Sequence, residues 1–363
     1  MIINGNDLFC HNCGNNGIGV PNNWDWSSLV RVVDIYYSQD FSLSDNNYNS
    51  FGSTMADALR ISNSSLGSIH HDTITFSTGN DSYWSPTQSW SRNPAALAIG
   101  YSDNINVHDN VLNVVYSPIA PGIFIRDSDS IYVKRNSIEG SSPYGIYLRN
   151  PMSLDLDSNI VKNFTNGIYA APQTSNSLRV RYNHLDTLGQ LGISIEGDSG
   201  VFTDNIVSSI VGGNGISING NGGANVSRNK ILGVTAGSGI VVNAPNSLVA
   251  NNYVQSDGVG LAKGISLEAN GSGSDVVFNS VNVTGTDVVN GQGITVNGGT
   301  NYRVKNNIFA NNGGGYAAYI NSDISTFDWD FNNYYSTKNS LAFYLGTSYD
   351  TLSSLVAASG KDS

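Results

Sequence analysis

The stretch Val107-His108-Asp109-Asn110-Val111-Leu112 returns as Val133-Lys134-Arg135-Asn136-Ser137-Ile138 and as Leu156-Asp157-Ser158-Asn159-Ile160-Val161. Its frame is an aliphatic residue, two variable positions, Asn, one variable position and a second aliphatic. From Asn110 the marker recurs at Asn136, Asn159, Asn183, Asn205, Asn229, Asn252, Asn279, Asn307 and Asn332, in steps of 22 to 28 residues. Weaker copies lie at Ile3–Leu8, Leu43–Tyr48, Ile69–Ile74 and Trp329–Tyr334, with Asp72 in the Asn place of the third. A nearly fixed period in this range marks a repeat architecture.

A second phrase, G-I-x-[IVL], falls in the gaps, for example at Gly122–Ile125, Gly145–Leu148, Gly192–Ile195 and Gly264–Leu267. Short runs of period-two alternation separated by Gly, Asn, Ser and Asp predict strands and turns. Three strands per repeat make one coil of an all-β parallel β-helix, a solenoid of about 12–13 rungs stacked roughly 4.8 Å apart. The marker Asn is expected at the bend between second and third strands, where left-handed backbone is cheap for Asn. Stacked copies there can hydrogen-bond up the column as an asparagine ladder. The L-x-x-L-x-L frame of a leucine-rich horseshoe is absent.

These scaffold phrases resemble those of the right-handed parallel β-helix superfamily, the pectate-lyase-like fold of secreted polysaccharide enzymes and phage tailspikes, over nearly the whole chain. The resemblance implies fold strongly and activity weakly, because function resides in sites carried on folds. It also implies an extracellular or cell-surface location, as does the abundance of Asn, Gly and Ser. The chain reads as one domain over residues 1–363, with long loops at 9–31 and 75–95 and a closing segment at 333–363. Because Ile3–Leu8 already carries the rung phrase, the chain reads as a piece of a longer secreted protein, with solenoid ends open to association.

Lys plus Arg number 17 against 28 Asp plus Glu, a net charge of −11. That balance argues against nucleic acid, whose phosphates need a basic footprint. No apolar run approaches a membrane span. Cys10 and Cys13 are too few for a four-cysteine zinc site; they can clip a loop or join His11 in a weak metal site.

Alternation predicts which side chains leave the coil. On the first strands the outward column reads Asp34, Arg60, Ala98, Phe124, Tyr147 and Tyr169, and a parallel column beyond it holds Arg126, Arg149 and Glu196. Phe124, Tyr147 and Tyr169 are expected to be exposed as successive rings, a platform for pyranose faces or a stabilising stack. Arg126 and Arg149 on adjacent rungs repel unless an anion lies between them, which points to a carboxylate or sulfate. The loops carrying Trp24, Trp26, Trp84 and Trp90 leave one corner of the coil and should wall a groove over this face.

Tyr132/Lys134, Asp155/Asp157 and Arg179/Arg181 read as a ladder of cross-strand ion pairs rather than a glycosidase carboxylate pair. His70 and His108 take equivalent outward positions on adjacent rungs, as a base, a metal pair or solvated surface. Asp127 and Asp129 could help hold Ca²⁺, yet two carboxylates fall short of its usual oxygen shell. No cofactor is certain and no metal site is assigned.

The superfamily resemblance implies polysaccharide as partner and β-elimination as one chemistry, with Arg126 and Arg149 neutralising a uronate and Tyr147 or Arg60 removing the ring proton. Phe124, Arg126, Tyr169, Glu196, Trp84 and Trp90 would then hold substrate beside Arg60, Tyr147 and Arg149. The polygalacturonase motifs N-T-D, D-D and G-H-G are absent. The expected function is therefore a polysaccharide lyase or glycoside hydrolase acting on an acidic polysaccharide, or a non-catalytic glycan-binding or structural segment.

Overall fold

The structure, a computed structural model, describes residues 1–11, 30–53, 56–78, 94–118, 120–173, 177–197 and 199–362. Trp24, Trp26, Trp84, Trp90 and Cys13 lie outside them. The chain divides into two compact units, Met1–Ala171 and Pro172–Ser363, each a parallel β-solenoid built from three sheets.

In the first unit the first-strand sheet stacks Val30–Tyr36, Ala56–Ser62, Leu97–Gly100, Ile123–Arg126, Tyr144–Arg149 and Asn166–Gln173. The second-strand sheet runs from Ile2–Asn4 to Ser153–Asp157, and the third from Asp7–His11 to Ile160–Lys162. Neighbouring strands are parallel and in the register that the repeat predicts, with Val107 beside Ile69 and Val133, and Leu112 beside Ile74 and Ile138. Those six aliphatics are fully buried. Each contributes about 2 kcal/mol of apolar burial to the coil interior.

The second unit repeats the plan, from Ser177–Arg181, His184–Asp186 and Leu191–Gly197 to Asp328–Asp330, Asn333–Ser336 and Ala342–Tyr344. Thr347–Tyr349 then folds back antiparallel on Ala342–Tyr344, and a helix follows at Leu352–Ser359. The strand-and-turn reading did not foresee this helix; Thr351 and Ser354 cap it reciprocally, and Gly360 ends it in left-handed geometry.

The marker Asn residues are buried and hydrogen-bonded from rung to rung. Asn110 donates from N and Nδ2 to Asn136 Oδ1 at 3.0 and 2.9 Å, and Asn136 to Asn159 Oδ1 at 3.0 Å from each. Each Nδ2 also reaches a backbone carbonyl of the rung before, Ile69 O for Asn110 and Val107 O for Asn136. In the second unit the same bonds join Asn183, Asn205, Asn229, Asn252, Asn279, Asn307 and Asn332, and the last donates to Asp362 Oδ1.

Left-handed backbone does not fall on the Asn, as expected, but on the residue before it: Asp109, Arg135 and Ser158 have φ of 58, 53 and 57°. The turn pays that conformation on an outward-facing position so that the Asn can point inward. The glycine of the second phrase serves close approach rather than turning. A Cβ on Gly122 would lie 2.7 Å from Ile138 Cγ2 and 2.8 Å from Gly145 O.

Candidate functional site

On the first-strand face of the first unit the predicted columns line up. Asp34 pairs in register with Arg60, Arg60 with Ala98, Ala98 with Phe124, Phe124 with Tyr147 and Tyr147 with Tyr169. The rings stack, Phe124 on Tyr147 at 5.4 Å and Tyr147 on Tyr169 at 5.7 Å between centroids.

Their exposure differs from expectation. Phe124 is 1% and Tyr147 6% exposed. They form an apolar cluster with Ala95, Ala98 and Ala171, against which Tyr144 and Tyr169 pack. Alternation fixes the direction of a side chain and says nothing about what lies over it. Arg60 is likewise buried, in an ion pair with Asp57 at 3.7 Å, and Asp57 also accepts from Ala95 N at 3.0 Å.

Arg126 and Arg149 are register neighbours and both half-buried. The anion beside Arg126 is the protein's own: its Nε donates to Asp127 Oδ2, and Asn150 Nδ2 donates to Asp127 Oδ1 at 2.7 Å. The repulsion that pointed to an external anion is therefore relieved internally on this side, and Asp127 is committed to protein partners rather than to a cation. Arg126 Nη1 nevertheless remains buried with no hydrogen-bond partner. Glu196 belongs to the second unit, half-buried on Leu191–Gly197 and in register with Asn219.

A feature that the sequence reading missed lies at the corner between first and second strands of the first unit. A shallow groove there is lined by Tyr37, Gln39, Asn63, Tyr101 and Asp103 over Ser38, Ser64 and Ser65. Tyr37, Asn63 and Tyr101 take φ of 50, 49 and 52°, and the rings of Tyr37 and Tyr101 are 72% and 49% exposed. The Arg126 guanidinium lies over the Tyr101 ring, 5.7 Å from its centroid. A serine column holds the corner: Ser38 N donates to Ser64 Oγ at 3.1 Å, and Ser64 N to Ser102 Oγ and Ser102 N to Ser128 Oγ at 3.2 Å each. Its trace in the sequence is the recurrence of Y-S-Q, N-S-S, Y-S-D and D-S-D at Tyr37, Asn63, Tyr101 and Asp127, which the stronger Asn phrase overshadows.

His70 and His108 do meet, their rings parallel at 5.0 Å. His70 Nδ1 faces His71 Nδ1 at 2.9 Å, and His108 Nδ1 bonds Asp109 Oδ2 at 2.7 Å. Arg135 holds that carboxylate through Nε and Nη2 at 2.8 and 2.7 Å, which pulls Asp109 well below the usual carboxylate range. Burial, then the neighbouring His108 and His71, lowers the His70 pKa. Lys134 reaches Asp155 at 4.0 Å, one contact of the expected charge ladder, and also covers the Tyr132 ring.

With this geometry in hand, comparison with known proteins places the chain. Residues 33–231 match the family model described as periplasmic copper-binding protein (NosD), and residues 166–333 match the model for the right handed beta helix region. The chain belongs to the NosD family. No curated protein matches the sequence significantly. Among solved structures this NosD-family chain is similar to the Dettilon tailspike protein gp208, at 13% identity over 84% of this chain and 59% of that one, with a TM-score of 0.51. It is also similar to DFA-IIIase from Arthrobacter chlorophenolicus A6 in complex with GF2, at 16% identity over 73% of this chain and 66% of that one, with a TM-score of 0.48. The chain thus spans 59% of the tailspike's length, and likenesses at these identities concern the fold.

Proposed function

We propose that this NosD-family chain is an extracytoplasmic β-helix that recognises a polysaccharide bearing acidic sugars, through the Tyr37–Asn63–Tyr101 corner and the adjoining Arg126. The observation that carries the reading is the corner groove. Two exposed rings flank the amide of Asn63, with Gln39 beside them, and the Arg126 guanidinium lies over the second ring. Pyranose faces pack on such rings, amides bond sugar hydroxyls, and a guanidinium grips a carboxylate. The family's description supports a periplasmic setting, and no helix of the described residues is long and apolar enough to cross a membrane.

Lyase or hydrolase chemistry is the second reading, favoured by the adjacent cations Arg126 and Arg149, which would neutralise a uronate while Tyr147 or Arg60 removed the ring proton. Both of those bases would first have to be uncovered, since Tyr147 lies in the ring stack and Arg60 is held by Asp57. Tyr169 and the loop residues Trp84 and Trp90 remain proposed substrate contacts of that reading, whereas Phe124, like Tyr147, would first have to be uncovered.

Copper, named in the family's description, does not fit the histidine nitrogens that cluster among the described residues. His70 and His71 offer two facing Nδ1 atoms, while the third ring gives its Nδ1 to Asp109, which Arg135 already clamps. No group of three or more metal-binding side chains converges among the described residues. No step is therefore routed through a metal.

The test is affinity electrophoresis on a panel of acidic polysaccharides, with absorbance of unsaturated uronate and reducing ends followed in parallel. Retardation lost in Tyr37→Ala/Tyr101→Ala, with neither signal rising, supports recognition at the corner. Product formation abolished in Arg149→Ala supports the second reading. A wild-type chain that neither binds nor cleaves any member of the panel overturns both.

A further inference from the structure

The second unit carries its own version of the ring–amide–ring motif, at a different corner and with no charge in it. Between its second and third strands the left-handed position holds Asn251, Phe278, Asn306 and Phe331 on four successive rungs, with φ of 56, 57, 57 and 59°. Register fixes the succession: Ala250 pairs with Val277, Val277 with Lys305 and Lys305 with Asp330, each the residue just before one of the four.

Phe278 is 57% and Phe331 66% exposed, and Tyr253 and Ile308 open beside them at 40% and 49%. A Cβ-bearing aromatic in left-handed backbone is disfavoured, and Asn or Gly is the ordinary occupant. Two Phe side chains held there, out in solvent, cost the fold both conformational strain and exposed apolar area without contributing to the core. Left-handed backbone recurs at this turn on every rung, so it is the clustered exposed apolar surface placed there that points to a contact with another molecule.

The spacing and chemistry select the kind of molecule. Phe278 and Phe331 stand two rungs apart, about 10 Å, with the exposed amide of Asn306 between them and that of Asn251 beyond. Flat apolar rings alternating with amides match a chain of pyranoses, whose faces pack on rings while their hydroxyls bond amides. Two of the nearby cations are paired: Lys305 with Asp328 at 2.6 Å, while lying 5.8 Å from the Phe331 centroid, and Arg228 bidentately with Asp204. Exposed Lys230 stands beside Tyr253 and Asp330 directly before Phe331, one charge of each sign. We infer that the Asn251–Phe278–Asn306–Phe331 strip is a second glycan-binding surface, for a neutral polysaccharide, acting independently of the corner groove in the first unit.

The test is affinity electrophoresis of the whole chain in native gels containing a soluble mixed-linkage β-glucan or a soluble galactomannan. Phe278→Asn/Phe331→Asn removes both rings yet suits left-handed backbone, so its melting temperature should match or exceed the wild type's. Phe278→Tyr/Phe331→Tyr keeps the rings. The expected result is wild-type retardation in at least one gel, at least tenfold weaker affinity in the Asn pair, and retention in the Tyr pair and in Tyr37→Ala/Tyr101→Ala. An unretarded wild-type chain overturns the inference. So does equal retardation of the Asn pair, or its loss in the Tyr pair.

Discussion

Asp72 is the one marker in the first unit's central rungs that is not Asn, and its surroundings say what that costs. Its Oδ1 accepts from Asn46 N at 2.7 Å and Nδ2 at 3.0 Å, as an Asn oxygen would, but its Oδ2 is buried with no partner. In neighbouring rungs that place belongs to an amide nitrogen donating to a backbone carbonyl and to the next Asn oxygen. A carboxylate there meets acceptors, so the acid form is the one that fits. Burial accordingly pushes Asp72 up to about 6; Asp45 adds to the rise, while Asn46 and His71 oppose it. A carboxyl with a raised native pKa binds more protons folded than unfolded, so stability is full at acid pH and falls as pH rises from about 4 through about 6. At 1.36 kcal/mol per unit, the loss by pH 7 is on the order of 3 kcal/mol. Asp72→Asn should remove it: urea unfolding should show the variant more stable than wild type at pH 7.5, with the gap shrinking markedly at pH 4.5. An equal gap at both values would refute a protonated Asp72.

At the scale of the element, the Asn column and the glycine corner decide whether a rung closes. Asn136 donates to Val107 O, Lys134 O and Asn159 Oδ1, and its oxygen takes both donors of Asn110. Asn136→Ala strands several of these buried groups at about 1–3 kcal/mol each, so the unfolding free energy should drop by roughly 3 kcal/mol or more. Asp109→Asn removes the exposed ion pair with Arg135 and the charge facing His108 Nδ1, both at the surface of the turn, and should change stability by about 1 kcal/mol at most. Similar losses in the two variants would mean that the column is not what holds the rung. This division also explains what the sequence could disclose. Inward positions repeat because each faces its own equivalent one rung away, so their pattern survives as the Asn and aliphatic phrases. Outward positions face solvent or whatever covers them, and Phe124 and Tyr147 read as exposed for want of any signal from the cover. The corner groove escaped because its serines bond through one Oγ each, a weaker and less frequent mark than Asn, and because left-handed Tyr37 and Tyr101 run against the residue preferences used to find turns.

For the molecule as a whole, the two proposed surfaces differ in charge, and the net charge of −11 makes that difference measurable. A polyanionic glycan approaching the first unit is repelled by the chain's overall field and attracted by Arg126 and Arg149 at contact. The two act over different lengths. At 0.01 M salt the screening length is about 30 Å and the whole negative surface is felt; at 1 M it is about 3 Å and even close pairs weaken. Affinity for an acidic polysaccharide should therefore pass through a maximum at intermediate ionic strength. Arg126→Ala should lower that maximum while leaving the repulsive low-salt limb in place. Binding of a neutral glucan to the Phe278–Phe331 strip carries no charge term and should stay nearly flat over the same range. Titrations of both polysaccharides from 0.01 to 1 M salt separate the surfaces without any substitution at the rings. An affinity for the acidic ligand that climbs steadily down to 0.01 M would place its contact on a basic surface that the fold as described does not present.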